Sequence, residues 1–175
     1  MKTFKLITVI IVITIITSTS IFSQENPTLS DSEVASVAVV ANQIDISYAE
    51  IAVKKSKNKE ILDFANRMIT DHNAVIKQAV ALVTKLSVTP KDNAVSQSLV
   101  EGSEKTKKML TKASKKKFDK LYIDNEVAYH KAVIAAIRDL LIPESENAEL
   151  KDLLENVLPA LEAHLKHAEM VQKKL

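Results

Sequence analysis

The stretch "RMITDHNAVIKQAV", residues 67–80, lies inside a regular helical pattern that decides the fold. Apolar positions around it recur in unbroken steps of four and three residues, which is the spacing of a helix that buries one seam in a bundle. One position on this seam is a histidine, His72, where the pattern calls for an apolar side chain. The pattern therefore predicts a helix over about residues 59–86 with an imidazole on its buried face. The seam comprises Ile61, Ala65, Met68, His72, Val75, Ala79, Leu82 and Leu86.

The same periodicity predicts three more long helices. The first covers about residues 31–55 and begins at a capping box in "SDSE", residues 30–33. The third and fourth cover Phe118–Leu141 and about Asn147–Lys174, and the segment "IPESEN", residues 142–147, separates them. Short connections join the first helix to the second and the third to the fourth, so we expect two antiparallel hairpins.

A connection of about 30 residues joins the two hairpins, and it is long enough to run the ~37 Å length of a 25-residue helix. Within it we expect a short helix from a cap at Asp92 to Gly102, followed by a lysine-rich segment. The predicted fold is all-α: a ferritin-like four-helix bundle of two antiparallel hairpins joined by a long, partly helical crossover. This bundle domain is expected over residues 31–174.

The amino terminus has the pattern of a secretory signal peptide. Lys2 and Lys5 precede an apolar run, Leu6–Ile16, and small polar residues follow it. We predict a signal peptide over residues 1–23 and a flexible start over residues 24–30. The alternative is an uncleaved anchor, although the run is short of the ~20 residues that span a bilayer. The sequence thus predicts an exported protein, periplasmic or associated with the outer membrane.

The composition excludes several kinds of functional site. The chain has no cysteine and one glycine, which excludes disulfides, thiolate metal sites and glycine-rich phosphate loops. Removing the signal peptide would take away two of the 24 basic residues and none of the 22 acidic ones, leaving a net charge near zero. We see no motif for a covalent nucleophile. The sequence predicts a non-catalytic binding or stress-related protein of the cell envelope.

Three histidines fall on the seams of three different helices: His72, His130 and His164. Asp45 lies one step off the first seam, and Glu126 lies one turn before His130 on the same face. Inward imidazoles and carboxylates are how bundles build metal sites, so these five residues are candidate ligands for zinc or iron. The alternative is a structural role, with each histidine buried and hydrogen-bonded and His130 paired with Glu126. Counted from the predicted turn, His164 lies about five residues further along than His130, ~7 Å.

Three segments resemble a family of exported bacterial proteins with a domain of unknown function and a ferritin-like fold, often labelled "predicted outer membrane protein". The resemblance covers roughly residues 33–173. It implies a fold and a compartment, and it implies no known reaction. The segments that carry it are "FANRMITDHNAVIKQAVAL" (64–82), "FDKLYIDNEVAYHKAV" (118–133) and "LPALEAHLKHAE" (158–169).

Residue by residue, the family's Asp-His pair falls on Asp71 and His72, and its histidine in the third helix falls on His130. Its Leu-Pro…His motif falls on the segment 158–164, which ends at His164. The glutamate of its first helix corresponds to Asp45 here.

The segment Lys105–Lys120 is rich in lysine and has two interpretations. It could contact an anionic membrane surface, or it could be a solvated face of the crossover. An exported protein is not expected to bind nucleic acid. The uneven distribution of acidic and basic residues is also compatible with a homo-oligomer.

Overall fold

The structure is a computed structural model, and it describes residues 28–175. The predicted signal peptide and most of the predicted flexible start lie outside these residues. The described part is helical and contains no strand. A π-helical turn, Ile137–Leu141, joins the fourth helix to the fifth. The helices are α1 (Asp31–Lys55), α2 (Lys59–Lys85), α3 (Ala94–Lys112), α4 (Lys115–Ala136), α5 (Ile142–Glu144) and α6 (Ala148–Gln172).

The helices begin where short polar side chains satisfy their first backbone N–H groups. At α1, the Ser30 N–H donates to Glu33 Oε2 at 3.0 Å, as the predicted capping box requires. At α2, the Asn58 side chain accepts from a backbone N–H in the first turn. Asn147 does the same for two N–H groups of α6. Local sequence thus sets these three starts.

Contacts at the two ends of the bundle show the direction in which α3 runs relative to α1. At one end the Lys91 N–H donates to Ser32 O at 2.9 Å, and at the other the Lys55 ammonium donates to Ala113 O at 3.0 Å. Helix α3 therefore runs beside α1 in the same direction and carries the chain from one end to the other. The hairpins α1–α2 and α4–α6 pack against each other, with α2 against α6 and α1 against α4. The predicted all-α bundle of two hairpins and a helical crossover is confirmed.

The prediction that the crossover helix ends at Gly102 is wrong. Helix α3 continues through Gly102 to Lys112, and its cap is Asn93 where Asp92 was expected. Gly102 keeps an ordinary helical conformation with a negative φ. The later part of the helix is held by Leu110, which is completely buried beside Phe118 in the core. Tertiary packing therefore overrides the local helix-ending signal.

The predicted end of the third long helix at Leu141 is also wrong. The chain passes through the π-helical turn, in which the Ile142 N–H donates to Ile137 O, and stays helical to Glu144. A π-helical turn is wider than an α-helical one. Because Pro143 has no N–H, it could not make an α-helical hydrogen bond in any case, and the wider turn next to it therefore loses none. The turn into α6 thus begins three residues later than the sequence pattern indicates.

Two apolar clusters fill the bundle, one toward each end. The first surrounds Phe64 and Tyr122, and the second surrounds Val34 and Leu154. Packing begins at Leu29, inside the predicted flexible start, because this side chain is buried and its N–H donates to Glu144 Oε2 at 3.0 Å. Among the described helices, none has the length and apolar character needed to span a bilayer.

We predict that Leu110→Ala destabilises the protein by about 2–5 kcal/mol, because it opens a cavity where the crossover meets the core. Met109→Ala on the same helix is the control, since Met109 is 43% exposed. It should change stability by less than about 0.5 kcal/mol. Urea unfolding followed by circular dichroism measures both. Equal effects would contradict the docking of α3 through Leu110.

Candidate metal centre

A layer of ionisable side chains separates the two apolar clusters. Helix α1 contributes Asp45, α2 contributes His72, α4 contributes Glu126 and His130, and α6 contributes His164. Each of the five is at most 4% exposed. The structure therefore brings together all five residues that the sequence singled out, on four helices at one level of the bundle.

The three histidines form a compact triad. Each offers one ring nitrogen, and these nitrogens lie within 4.8 Å of one another. The Asp45 carboxylate adjoins the triad, since its Oδ2 lies 3.5 Å from His72 Nε2 and 3.6 Å from His130 Nε2. Asp45, Glu126 and His130 form a second group within the same 4.8 Å limit. His130 belongs to both groups and links them.

The predicted difference in depth between His130 and His164 is wrong. The two ring centroids lie 5.6 Å apart. Because the helix continues to Glu144, His130 lies 14 residues before the end of α5, and His164 lies 16 residues after Ala148, the start of α6. The remaining difference is two residues, ~3 Å along the axis, which side chains can span.

Hydrogen bonds fix the proton position on His72. Its Nδ1 lies 2.7 Å from Asn42 Oδ1. The Asn42 amide is oriented by its own Nδ2, which donates to Ala38 O at 2.8 Å, so Oδ1 is the acceptor. His72 therefore carries its proton on Nδ1, and its Nε2, which has no hydrogen-bond partner among the described residues, presents a lone pair to the cluster.

The other two histidines are held in the same way. His130 Nδ1 donates to the backbone carbonyl of Glu126 at 3.0 Å, which leaves Nε2 free. His164 Nε2 donates to Asp71 Oδ2 at 2.8 Å, which leaves Nδ1 free. Arg67 Nε in turn donates to the same Asp71 oxygen at 3.2 Å. Such outer hydrogen bonds select the tautomer and orient the ring of a metal-binding histidine.

Burial controls the ionisation of the cluster. It lowers the pKa of His72 to about 3 and the pKa of His130 to about 4, and it also lowers the pKa of His164. Burial raises the pKa of Asp45 to about 8. It also raises the pKa of Glu126 well above its usual value, and the charge of Asp45 adds to this effect. Without a cation, the layer therefore favours neutral imidazoles and protonated carboxyl groups.

The carboxylates lack the partners that a structural role requires. None of the four oxygens of Asp45 and Glu126 accepts a hydrogen bond from the described residues. Glu126 Oε2 lies 3.7 Å from His130 Nδ1, too far for a hydrogen bond, and that nitrogen already donates to a backbone carbonyl. The expected side-chain pairing of His130 with Glu126 is therefore not formed. Buried polar atoms without partners are costly, and a bound cation would satisfy them.

The helical periodicity gave no role to two supporting residues, Asn42 and Asp71, because neither lies on a buried seam. The family resemblance named Asp71 as part of an Asp-His pair, but no sequence signal pointed to Asn42. The structure shows what each does, since each accepts a hydrogen bond from a histidine. His167, the fourth histidine, lies outside the cluster and packs on Phe64 with ring centroids 5.2 Å apart.

Fold and site together define an all-α bundle with a buried cluster of three histidines and two carboxylates. The chain belongs to the family described as a domain of unknown function, DUF4142, which matches residues 17–171. The ferritin-like and outer-membrane labels that the sequence resemblance carried remain predictions.

One solved structure with a similar fold is "CopM in the Cu(II)-bound form". The match has a TM-score of 0.62 and 18% sequence identity, and it covers 83% of this chain and 98% of that chain. At this identity the similarity establishes the helical-bundle fold. A comparison with curated proteins gave no match.

We predict that Asp45→Asn flattens the pH dependence of stability in metal-free protein. The folded pKa of about 8 exceeds the usual 3.8, so the folded state holds a proton that the unfolded state releases between these pH values. Asp45 therefore makes the free energy of unfolding fall as the pH rises from about 4 to about 8. Asparagine cannot ionise, and its variant should gain stability relative to the parent on going from pH 5 to pH 8.

Urea unfolding of both proteins with a chelator present, at pH 5 and pH 8, measures this difference. The histidines titrate in both proteins, so the comparison reports the contribution of Asp45 together with its effect on the pKa of Glu126. An identical pH dependence in parent and variant would contradict the burial of an ionisable Asp45.

Proposed function

We propose that this protein is an exported, non-catalytic metal-binding protein that holds a divalent ion at the centre of its helical bundle, with Cu(II) as the favoured ion. The ligands would be His72 Nε2, His130 Nε2, His164 Nδ1 and the Asp45 carboxylate. Glu126, on the other side of His130, would be a further carboxylate near the ion. The family has no assigned function, so the proposal depends on the residues of this chain.

The convergence of unprotonated ring nitrogens carries the proposal. Three imidazoles on three helices each donate one N–H outward, to Asn42, to the carbonyl of Glu126 or to Asp71. Their other nitrogens have no partner among the described residues. One ring nitrogen of each histidine lies within 4.8 Å of one ring nitrogen of the other two. A structural histidine is expected to use both nitrogens or to expose one to water. Three neighbouring buried imidazoles that each leave one nitrogen without a protein partner are better explained by a shared ion.

Charge supports the same conclusion. Moving a carboxylate out of water is costly unless a cation accompanies it. The described residues place no lysine or arginine in hydrogen-bond contact with Asp45 or Glu126. A divalent ion beside Asp45 would supply the missing positive charge and lower the pKa of that carboxyl group. The protein would then release protons as it binds the metal.

The donor set favours Cu(II). Imidazole nitrogens suit zinc, copper, iron and nickel, and affinity for such a site generally rises along the divalent series to a maximum at copper. The sequence alone suggested zinc or iron, and zinc remains the second choice because it also accepts three histidines and one further ligand. CopM, which shares the fold, has been solved in a Cu(II)-bound form. Its low identity makes this agreement a support for the proposal and not a transfer of function.

We expect purified protein without a histidine tag to bind about one equivalent of Cu(II) in isothermal titration calorimetry. At a free Cu(II) concentration 100-fold above Kd, binding should stabilise the fold by about 2.7 kcal/mol and raise the melting temperature. His72→Leu preserves volume but removes a ligand, so it should lose this rise. His167→Leu is the matched control and should keep it, since His167 lies outside the cluster.

Absence of copper binding by the parent protein, or an equal loss in both histidine variants, would contradict the proposal. A parallel titration with Zn(II) tests the choice of metal. Tighter binding of Zn(II) than of Cu(II) would keep the site and change the ion. Because apo stability is measured for every variant, a fold that fails for other reasons is recognised separately.

We also predict that Asn42→Leu weakens Cu(II) binding by about 10–100-fold, although Asn42 is not a ligand. Its Oδ1 holds the Nδ1 proton of His72 in place, and loss of such an outer partner typically has an effect of this size. Asn66→Leu is the control, because that side chain is exposed and its Nδ2 only donates to the Leu62 carbonyl one turn earlier in the same helix. Calorimetry with Cu(II) compares both variants. Unchanged affinity in Asn42→Leu would show that His72 needs no orienting partner.

A further inference from the structure

A cavity of about 640 Å³ inside the bundle is lined by residues of α1, α2, α4 and α6 and reaches the histidine cluster. This volume falls within the ~300–1,000 Å³ of typical small-molecule sites. Val75, Ala79 and Val83 line it from α2, and Leu154, Val157 and Leu161 line it from α6. Val75 and Val157 are only half-buried, so the cavity opens to solvent between these two helices.

The lining divides into an apolar wall and a polar floor. Aliphatic side chains and alanines form most of the wall. At the floor lie Asp45, His72, His130 and His164, while Glu126 is not among the lining residues. The cavity therefore meets the three-histidine face of the cluster and not its Glu126 face. A ligand that fills this space needs a long apolar body and one polar end.

No lysine or arginine occurs among the described residues that line the cavity. An anionic head group would consequently find no fixed positive charge at the floor, where the carboxylate of Asp71 also lines the cavity. A divalent ion held by the histidines and by Asp45 would retain one unit of positive charge. Such a charge in a poorly solvated site attracts an anion strongly. Binding of an anionic amphiphile should therefore depend on the metal.

We infer that this cavity binds a single-chain fatty acid, whose carboxylate is held at the ion bound by the three histidines and whose alkyl chain lies between α2 and α6. The inference rests on the proposed metal site and adds the ligand class that the site would take. From His72 to Val83 the cavity follows α2 for ~16 Å. With ~1.5 Å C–C bonds, which advance ~1.3 Å per carbon in a zigzag, this length accommodates a chain of about twelve carbons.

The first experiment titrates dodecanoate into Cu(II)-loaded protein and into chelator-treated protein by calorimetry. We expect at least tenfold tighter binding to the loaded protein, with a change in the visible absorption of the bound Cu(II). Dodecanol, which keeps the chain, and acetate, which keeps the head, should each bind at least tenfold more weakly than dodecanoate. Equal affinity with and without copper would overturn the inference.

The second experiment fills the cavity without touching a ligand. Ala79 is buried and lies two turns from His72 on the cavity wall, so Ala79→Phe should weaken dodecanoate binding at least tenfold and leave Cu(II) affinity unchanged. Val80→Phe is the matched control, since Val80 is 52% exposed and is not a lining residue. Val157→Phe provides a second blocking variant if Ala79→Phe does not fold.

The outcomes separate this inference from the proposed function. Absence of Cu(II) binding by the parent protein overturns both. Cu(II) binding without copper-dependent dodecanoate binding overturns only the fatty-acid site. If the parent fails to bind dodecanoate and is a dimer by analytical ultracentrifugation that Ala79→Phe converts to a monomer, a second copy of the chain covers the cavity and the inference is wrong.

Discussion

The desolvation of five ionisable side chains at one level of the bundle is the constraint on which the structure depends. Asp45, His72, Glu126, His130 and His164 lie between two apolar clusters, where water cannot compensate for buried charge. The layer can persist only in neutral form or with a cation. It also limits how the helices can slide, since a shift of one turn would move a histidine into an apolar cluster. The same electrostatics would thus link the proposed metal binding to the register of the helices.

Several features of the fold meet this constraint. The π-helical turn and α5 lengthen the fourth helix and bring His130 to nearly the same depth as His164. Asn42 and Asp71 accept the outer protons of two histidines, and a backbone carbonyl of α4 accepts the third. One ring nitrogen of each histidine then remains without a partner among the described residues. The tautomers are set before any ion arrives, which reduces the reorganisation that binding would require.

The cavity gives the cluster an accessible side. Its walls come from both helices of each hairpin, α1 and α2 on one side and α4 and α6 on the other, so the cavity arises from how the hairpins dock. On the opposite side, Glu126 is enclosed by the core around Tyr122. An ion at the three histidines would thus have a carboxylate-rich side toward the core and an open apolar side toward solvent. This asymmetry suits a site that receives one ligand end-on.

The sequence alone determined the periodic part of this protein. Unbroken steps of three and four residues gave the limits of α1 and α2 to within a residue and placed the three histidines on buried seams, because side-chain direction in a helix follows from residue number. The sequence did not predict where α3 ends or where the helical run through Pro143 ends, because long-range packing outweighs local signals at both places. It also did not predict the hydrogen-bond partner of His72, the position of His164 along the bundle axis or the presence of the cavity. These depend on how separate helices dock, and docking is decided by contacts between residues such as Asn42 and His72, 30 positions apart in the chain.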